Sequence, residues 1–120
     1  MPAEPDRLYF RQLLSGRDFA HEDPMAQQMV NFAYLIGDRV THEAVIVDPA
    51  YGVGELVDAA EGDGMTVVGA LATHFHPDHV GGSLLDHSIE GVAELLARSA
   101  VPIHANRHEV PLICKVTGAS

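Results

Sequence analysis

The sequence has little cysteine and few basic residues, and each shortage excludes a class of function. Its only cysteine among 120 residues is Cys114, so no intramolecular disulfide forms and the fold does not depend on an oxidising compartment. Lys and Arg total 7 against 17 Asp and Glu, for a formal net charge of −10. Such a surface repels phosphate groups, so we expect no nucleic-acid partner and no binding to anionic membranes.

Long apolar runs and a basic N-terminus are also absent. Residues 1–6 are acidic and proline-rich, whereas a secretory signal needs a basic start followed by an apolar stretch. The longest clean apolar stretch, residues 67–72, is far too short to span a membrane. We therefore expect a cytoplasmic protein.

The composition that remains is that of a folded globular protein. Hydrophobic residues make up 47% of the chain and charged residues 20%. A chain of 120 residues is long enough for one domain with a core and too short for two ordinary domains. We predict a single domain over residues 1–120.

The first half of the chain shows strand patterns. Apolar and branched residues predict strands at residues 8–14, 29–36 and 44–47. The last two are expected to form a hairpin over the polar residues 37–43. Residues 15–27 mix Gly, Asp, His, Glu and Pro and are interpreted as a loop.

A βαβ unit is predicted next. The spacing of Val53, Leu56, Val57 and Ala60 is typical of one helix face, and the glycines within residues 62–64 end that helix. Residues 66–73 are almost continuously apolar, as in a strand buried on both faces. The strands on either side of the helix would then run parallel.

The last part of the chain is less regular. Ile89, Val92, Leu95 and Leu96 predict a second helix, with Ser88 as its N-cap. Residues 101–104 predict a short strand. Beyond them the pattern is too mixed for a prediction, and the small residues 117–120 are typical of a loop.

Four side chains that bind metals fall within six consecutive residues directly after the strand at residues 66–73: His74, His76, Asp78 and His79. In open α/β sheets, binding sites lie at the carboxyl ends of strands. Residues two apart in extended backbone point to the same side, so His74 and His76 can reach one metal ion. Imidazole suits zinc, iron and copper, and a carboxylate adds a hard ligand. The cluster therefore predicts a metal site.

The residues around this cluster help to shape it. Pro77 fixes its own φ and turns the chain, so that Asp78 and His79 approach from a new direction. There they complete the coordination of the first metal or hold a second one. The pair Gly81-Gly82 allows the backbone to pack closely behind the site.

Residues 73–82, THFHPDHVGG, resemble the metal-binding signature of the metallo-β-lactamase fold superfamily. Residues 31–37 (NFAYLIG) and 45–49 (VIVDP) add a resemblance to its glyoxalase II and persulfide dioxygenase branch. The resemblance extends over roughly residues 9–118. It implies an α/β fold, specifically the N-terminal half of a four-layer αββα sandwich.

The resemblance also implies roles for individual residues. His74 and His76 match ligands of a first metal, and Asp78 and His79 match ligands of a second. Asp48 matches an aspartate at a strand end that supports the metal ligands from behind. The alternative for Asp48 is an ordinary Asp-Pro turn at the end of a strand.

The activity implied by the resemblance is metal-dependent hydrolysis of a small molecule. One or two Zn²⁺ ions would activate water, Asp78 would orient the nucleophile and accept its proton, and the substrate would be a thioester, with glutathione as its thiol. An alternative is a persulfide dioxygenase-like enzyme with a single Fe²⁺, in which His74 is the only ligand from this part of the fold.

The sequence departs from the family because the second half of the sandwich, which supplies a further His, a bridging Asp and a final His, does not follow. A third alternative is therefore a non-catalytic fragment, or a half-domain that needs a complementary chain or a second copy of itself. Such a half is expected to expose an apolar sheet face.

The remaining histidines are weaker candidates. His104 and His108 are four residues apart and would share a face if that stretch were helical, although the resemblance places no ligand there. His21, His42 and His87 are predicted to lie in polar loops. Cys114 is expected to be a small, partly buried apolar residue rather than a reactive thiolate.

Overall fold

The computed structural model describes residues 7–29, 31–73, 76–84, 87–89, 91–98 and 101–117. The elements in chain order are β1 (Leu8–Leu14), α1 (Pro24–Met29), β2 (Phe32–Asp38), β3 (Glu43–Val47), α2 (Val53–Gly62), β4 (Thr66–Ala72), α3 (Pro77–Val80), β5 (Gly82–Leu84), β6 (His87–Ile89), α4 (Val92–Arg98), β7 (Ile103–Ala105) and α5 (Val110–Thr117).

A mixed five-stranded sheet forms the centre of this part of the molecule, with the strand order β1-β2-β3-β4-β7. β1, β2 and β3 pair antiparallel, whereas β3, β4 and β7 run parallel. β5 and β6 form a separate antiparallel pair. Because β3 and β4 are parallel neighbours, their carboxyl ends meet at one edge of the sheet, which is where the predicted metal motif follows.

The core lies between one face of the sheet and the helices. Alternate strand residues such as Leu35 and Ile46, both fully buried, point to this face. They pack in one cluster with buried residues of α1, α2 and α4. The four helix residues that the spacing singled out, Val53, Leu56, Val57 and Ala60, are all among them.

The opposite face of the sheet, which we term the open face, remains partly exposed. The strand register places on it Leu8, Phe10, Phe32, Tyr34, Ile36, Val45, Val47 and Leu71. Phe10 is 52% exposed and Phe32 41%. The ring of Tyr34 lies between them, with centroids 5.7 Å from Phe10 and 6.3 Å from Phe32.

Most of the predicted elements are confirmed. The strand at residues 8–14, the hairpin, the helix from Val53 and the parallel strand from Thr66 are all present. The short strand near residue 103 is present as β7. The predicted α/β class is also correct, since a mixed sheet packs against helices.

Three predictions about elements are wrong. Residues 15–27 are not all loop, and the strand predicted from Met29 begins only at Phe32, because α1 occupies Pro24–Met29. The Asp23 carboxylate accepts hydrogen bonds from the backbone N–H groups of Met25 and Ala26 and so caps this helix. Ser88 is not an N-cap and Ile89 is not helical, since both belong to β6 and pair with β5.

The C-terminal stretch, which showed no clear pattern, forms α5 up to Thr117. Residues 118–120 of the predicted terminal loop lie outside the described residues. No helix in the described part of the chain is long and apolar enough to cross a membrane. The cytoplasmic location stays a prediction, as does the single domain over residues 1–120.

Candidate metal centre

Three segments converge where β3 and β4 end. Asp48 follows β3 directly, Thr73 follows β4, and His79 lies in the short helix α3 that comes after the motif. Asp48 has a φ of 54°, a left-handed conformation that Asp tolerates better than most residues. Its backbone N–H donates to the Leu71 carbonyl at 2.8 Å, which ties the end of β3 to β4.

The Asp48 carboxylate is the hub of this arrangement. Its Oδ1 accepts a hydrogen bond from the Thr73 backbone N–H at 2.7 Å, and its Oδ2 accepts one from the Thr73 hydroxyl at 2.6 Å. The same Oδ2 lies 3.0 Å from Nδ1 of His79. Asp48 thus connects the end of the strand before the motif to a histidine inside the motif.

Asp48 is a buried carboxylate with only 7% of its surface exposed. Burial alone would raise the pKa of its carboxyl group, but the hydrogen bonds from His79 and Thr73 outweigh burial, and the pKa lies below its ordinary value. The group is therefore an anion at neutral pH. Its charge faces the imidazole of His79, whose side chain is 22% exposed.

This contact determines how His79 presents its ring. A carboxylate can only accept a hydrogen bond, so Nδ1 of His79 must carry the proton. In the neutral imidazole the lone pair then lies on Nε2. Histidines that bind metals commonly have this arrangement, in which a carboxylate holds the nitrogen that does not bind the metal.

The other predicted ligands are described only in part. His76 is exposed and immediately precedes α3, and its carbonyl accepts hydrogen bonds from the backbone N–H groups of His79 and Val80 at 2.9 and 3.2 Å. His74 lies outside the described residues, and so does the side chain of Asp78. Among the side chains that are described, no three His, Cys, Asp or Glu form a group suited to a metal ion.

Three of the five remaining histidines lie in elements other than those predicted. His104 lies in β7 and His108 in the turn before α5, so they do not share a helix face and that alternative is wrong. His87 belongs to strand β6 rather than to a loop. His21 and His42 lie in loops, as predicted, and both are exposed.

Thr73 is a site residue that the motif contains but for which the sequence predicted no role. A hydroxyl residue at the end of one parallel strand, next to a strand that ends in Asp, is the signal that would have identified it. Parallel neighbours bring such positions together at one edge of the sheet.

These contacts define a class of protein. It is an α/β protein in which a histidine-rich segment follows a parallel strand in the chain, and a buried carboxylate contacts a histidine of that segment. The sequence profile of the metallo-beta-lactamase superfamily matches residues 27–113, and the chain belongs to that superfamily. Members of the superfamily bind metal ions and are generally enzymes.

Individual relatives share part of their length with this chain. A hydroxyacylglutathione hydrolase of Bdellovibrio bacteriovorus is 31% identical over 85 residues, which are 68% of this chain and 30% of the relative. The human mitochondrial persulfide dioxygenase ETHE1 is 35% identical over 101 residues, or 73% of this chain and 37% of the relative. The chain therefore spans about a third of the length of these curated relatives.

A solved structure of a metallo-beta-lactamase from Staphylococcus aureus has a TM-score of 0.60 to this chain at 23% identity. The superposition covers 87% of this chain and 25% of that chain, and it establishes similarity of fold.

The orientation of His79 suits a bound metal ion. Asp48 holds the ring of His79 with its lone pair on Nε2, the atom that would bind a metal. His76, Asp78 and His79 lie within four consecutive positions and combine two imidazoles with a carboxylate, a donor set suited to zinc or iron.

Proposed function

We propose that this chain is the metal-binding part of a metal-dependent hydrolase, with His74, His76, Asp78 and His79 as ligands of one or two Zn²⁺ ions. The observation that supports this most strongly is the 3.0 Å contact between Nδ1 of His79 and the buried carboxylate of Asp48. Burying a carboxylate to orient a partly exposed histidine is costly for a purely structural purpose, whereas a metal ligand needs that orientation and the added basicity.

Each residue has a defined role in the proposed reaction. When bound, Zn²⁺ supplies Lewis acidity and lowers the pKa of a coordinated water. Asp48 keeps His79 oriented, and Asp78 accepts the proton of the attacking water. The water oxygen bonds to the carbonyl carbon of a thioester and the C–S bond breaks. The departing sulfur takes the proton back from Asp78, so a carboxylic acid and a thiol are released.

The proposed substrate is a small glutathione thioester. The relative from Bdellovibrio bacteriovorus is named as a hydrolase of hydroxyacylglutathione. A site at one edge of a sheet, in a chain with a net charge of −10, suits a small molecule better than a nucleic acid or a membrane.

A second candidate is a persulfide dioxygenase-like activity with one Fe²⁺. The similarity to the human persulfide dioxygenase covers 73% of this chain, slightly more than the similarity to the hydrolase. In this alternative His74 binds the metal and His76 does not, so the two candidates predict different effects of the same substitutions.

The test is the metal affinity of the 120-residue chain and of two variants, His74→Ala and His76→Ala. The hydrolase proposal predicts that each substitution abolishes stoichiometric zinc binding, measured by competition with a chromophoric chelator. The dioxygenase alternative predicts that His76→Ala still binds Fe²⁺ under anaerobic conditions and that His74→Ala does not.

The control is His21→Ala, because His21 is exposed in a loop outside the motif. It should bind zinc as the unsubstituted chain does. Zinc binding that survives in both motif variants would contradict the ligand assignment. If zinc binds but no thioester is hydrolysed, the third alternative, a non-catalytic fragment or a half-domain that needs another chain, is favoured.

A further inference from the structure

The motif helix α3 depends on its neighbours for its position. It has four residues, too few to be stable as an isolated helix. Its last residue, Val80, is fully buried and packs in a cluster with Ala72, Val92 and Ile113. Since Val80 directly follows His79, the packing that holds Val80 also fixes the backbone of a proposed metal ligand.

One contact in this packing is between two backbones. A Cβ atom built on Gly91 would lie 2.0 Å from the carbonyl oxygen of Val80, 2.3 Å from its carbonyl carbon and 2.5 Å from Cα of Gly81. These are backbone atoms, which no change of rotamer can move aside. The end of α3 therefore rests against residue 91 at a distance that only glycine permits.

Gly91 is itself firmly held. It immediately precedes α4, and its N–H donates to the Glu94 carboxylate at 2.7 Å, which is half of a capping box. Its carbonyl accepts the N–H of Leu95 at 2.9 Å, and Leu95 is fully buried in the core. The N-terminus of α4 thus provides a fixed support for α3.

We propose that Gly91 is a positioning residue for the metal site, which acts through Val80 and Gly81 to keep His79 within hydrogen-bonding distance of Asp48. This inference rests on the proposed function. A methyl group at residue 91 must move about 1.5 Å to reach normal contact distance from the Val80 carbonyl. A shift of that size along α3 would lengthen the contact between His79 and Asp48 beyond a hydrogen bond.

The experiment compares Gly91→Ala with the matched control Gly62→Ala. Gly62 ends α2, and a Cβ there would have no atom within 4 Å apart from its chain neighbours and the backbone of its own helix. Zinc affinity is measured by chelator competition, and the ¹⁵N chemical shifts of the His79 ring are measured in the metal-free chain. Gly91→Ala should lose at least about tenfold in zinc affinity and shift the His79 ring nitrogens, and Gly62→Ala should do neither.

A third variant covers the case in which Gly91→Ala does not fold. Glu94→Ala removes an exposed side chain and frees the Gly91 N–H without adding any atom near Val80. It should also shift the His79 ring nitrogens and weaken zinc binding, by a smaller factor than Gly91→Ala.

The inference is overturned if the folded variants at residues 91 and 94 keep both the His79 shifts and the zinc affinity of the unsubstituted chain. Failure of the proposed function has a different signature. The unsubstituted chain would then bind no zinc, while the shifts of the metal-free His79 ring would still report whether Gly91 positions it.

Discussion

At the scale of single residues, the oxygen Oδ2 of Asp48 receives two contacts at once. The Thr73 hydroxyl lies at 2.6 Å and Nδ1 of His79 at 3.0 Å. The Thr73 backbone N–H holds the other oxygen of the same carboxylate. Because one carboxylate can rotate away from an imidazole, the two bonds from Thr73 are what keep it facing His79.

We therefore expect Thr73→Val to weaken the site. Valine has a similar shape but no hydroxyl, so Asp48 keeps only the backbone bond from residue 73. A lost hydrogen bond to a buried charge is worth roughly 1.5–3 kcal/mol, and comparable changes behind a metal ligand reduce metal affinity about 10–100-fold. Urea unfolding and zinc competition would measure the two effects.

Thr73→Ser is the matched control, because serine retains the hydroxyl and removes only a methyl group. It should keep zinc affinity close to that of the unsubstituted chain. Equal losses in the valine and serine variants would show that the methyl group matters and that the hydroxyl does not.

A second network of side chains lies at the edge of the sheet where β1 and β4 begin, opposite the edge that carries the site. The hydroxyl of Tyr9 donates to Asp63 at 2.6 Å, and Arg11 donates to the same oxygen at 3.0 Å. Tyr9 is only 4% exposed. Burial, followed by the bond and charge of Asp63, raises the pKa of the Tyr9 hydroxyl from 10.0 to about 12.

This pKa predicts how stability changes in alkali. The folded-state pKa lies above the unfolded value, so Tyr9 contributes stability below pH 10.0 that is lost as the pH rises to about 12. Tyr9→Phe should lower the free energy of unfolding by about 1 kcal/mol at neutral pH and remove this alkaline loss. Urea unfolding at a series of pH values measures both.

Tyr34→Phe is the control for this prediction. Its hydroxyl bonds to the exposed amide of Gln12 at 3.1 Å on the open face. The free energy of unfolding should change by less than about 0.5 kcal/mol. An alkaline loss that persists in Tyr9→Phe would show that another group is responsible.

The sequence predicts contacts between residues only where strand order alone places them at the same edge of the sheet. Asp48 and the motif both follow apolar strands, so their placement at one edge of the sheet could be inferred. The contact between Asp48 and His79 spans 31 positions and depends on how α3 turns back. Gly91 had no local signal, because its constraint comes from the backbone of residues 80 and 81.

At the scale of elements, the spacing of apolar residues predicts a helix or strand correctly when that element buries several of its own residues. α2 buries four residues at helical spacing, and it was predicted correctly. α5 buries only Ile113, so its pattern was too weak to recognise. Ile89 fits the helical spacing of Val92 and Leu95, but pairing with β5 places it in a strand.

The single buried residue of α5 makes that helix sensitive to one substitution. Ile113 is 4% exposed and packs with Val80 of the motif helix, and it also lines an apolar cavity of about 120 Å³ together with Cys114. Ile113→Ala would enlarge this cavity and should cost about 2–5 kcal/mol. Because α5 has few other buried contacts, we expect it to detach before the sheet unfolds.

The reaction rate of Cys114 with a thiol reagent measures this local opening. It should rise strongly in Ile113→Ala, since Cys114 is partly buried in the cavity wall. Leu112→Ala is the control, because Leu112 is 38% exposed and adjoins Ile113 in the same helix. Equal rates in the two variants would contradict the role assigned to Ile113.

At the scale of the whole molecule, the sheet is covered on one face and open on the other. The four-layer sandwich that the resemblance implies would place a second sheet on the open face. In the chain as it stands, Leu8, Phe10, Phe32 and Leu71 are each more than a third exposed there. The centre of this face is apolar, whereas Asp38 and Glu43 lie at one end of it.

We expect the 120-residue chain to self-associate through the open face, and more strongly as salt is added. A net charge of −10 opposes the approach of two copies, and salt screens that repulsion while leaving the apolar contact intact. Phe10→Asp should weaken association at least about tenfold, because burying half of a phenylalanine side chain is worth roughly 0.8–1.5 kcal/mol and each of the two copies contributes one. Val40→Asp is the control, since Val40 is 65% exposed in the hairpin turn, away from the open face. Sedimentation over a range of concentration and salt would measure the association, and a chain that stays monomeric at high salt would show that the open face is not adhesive.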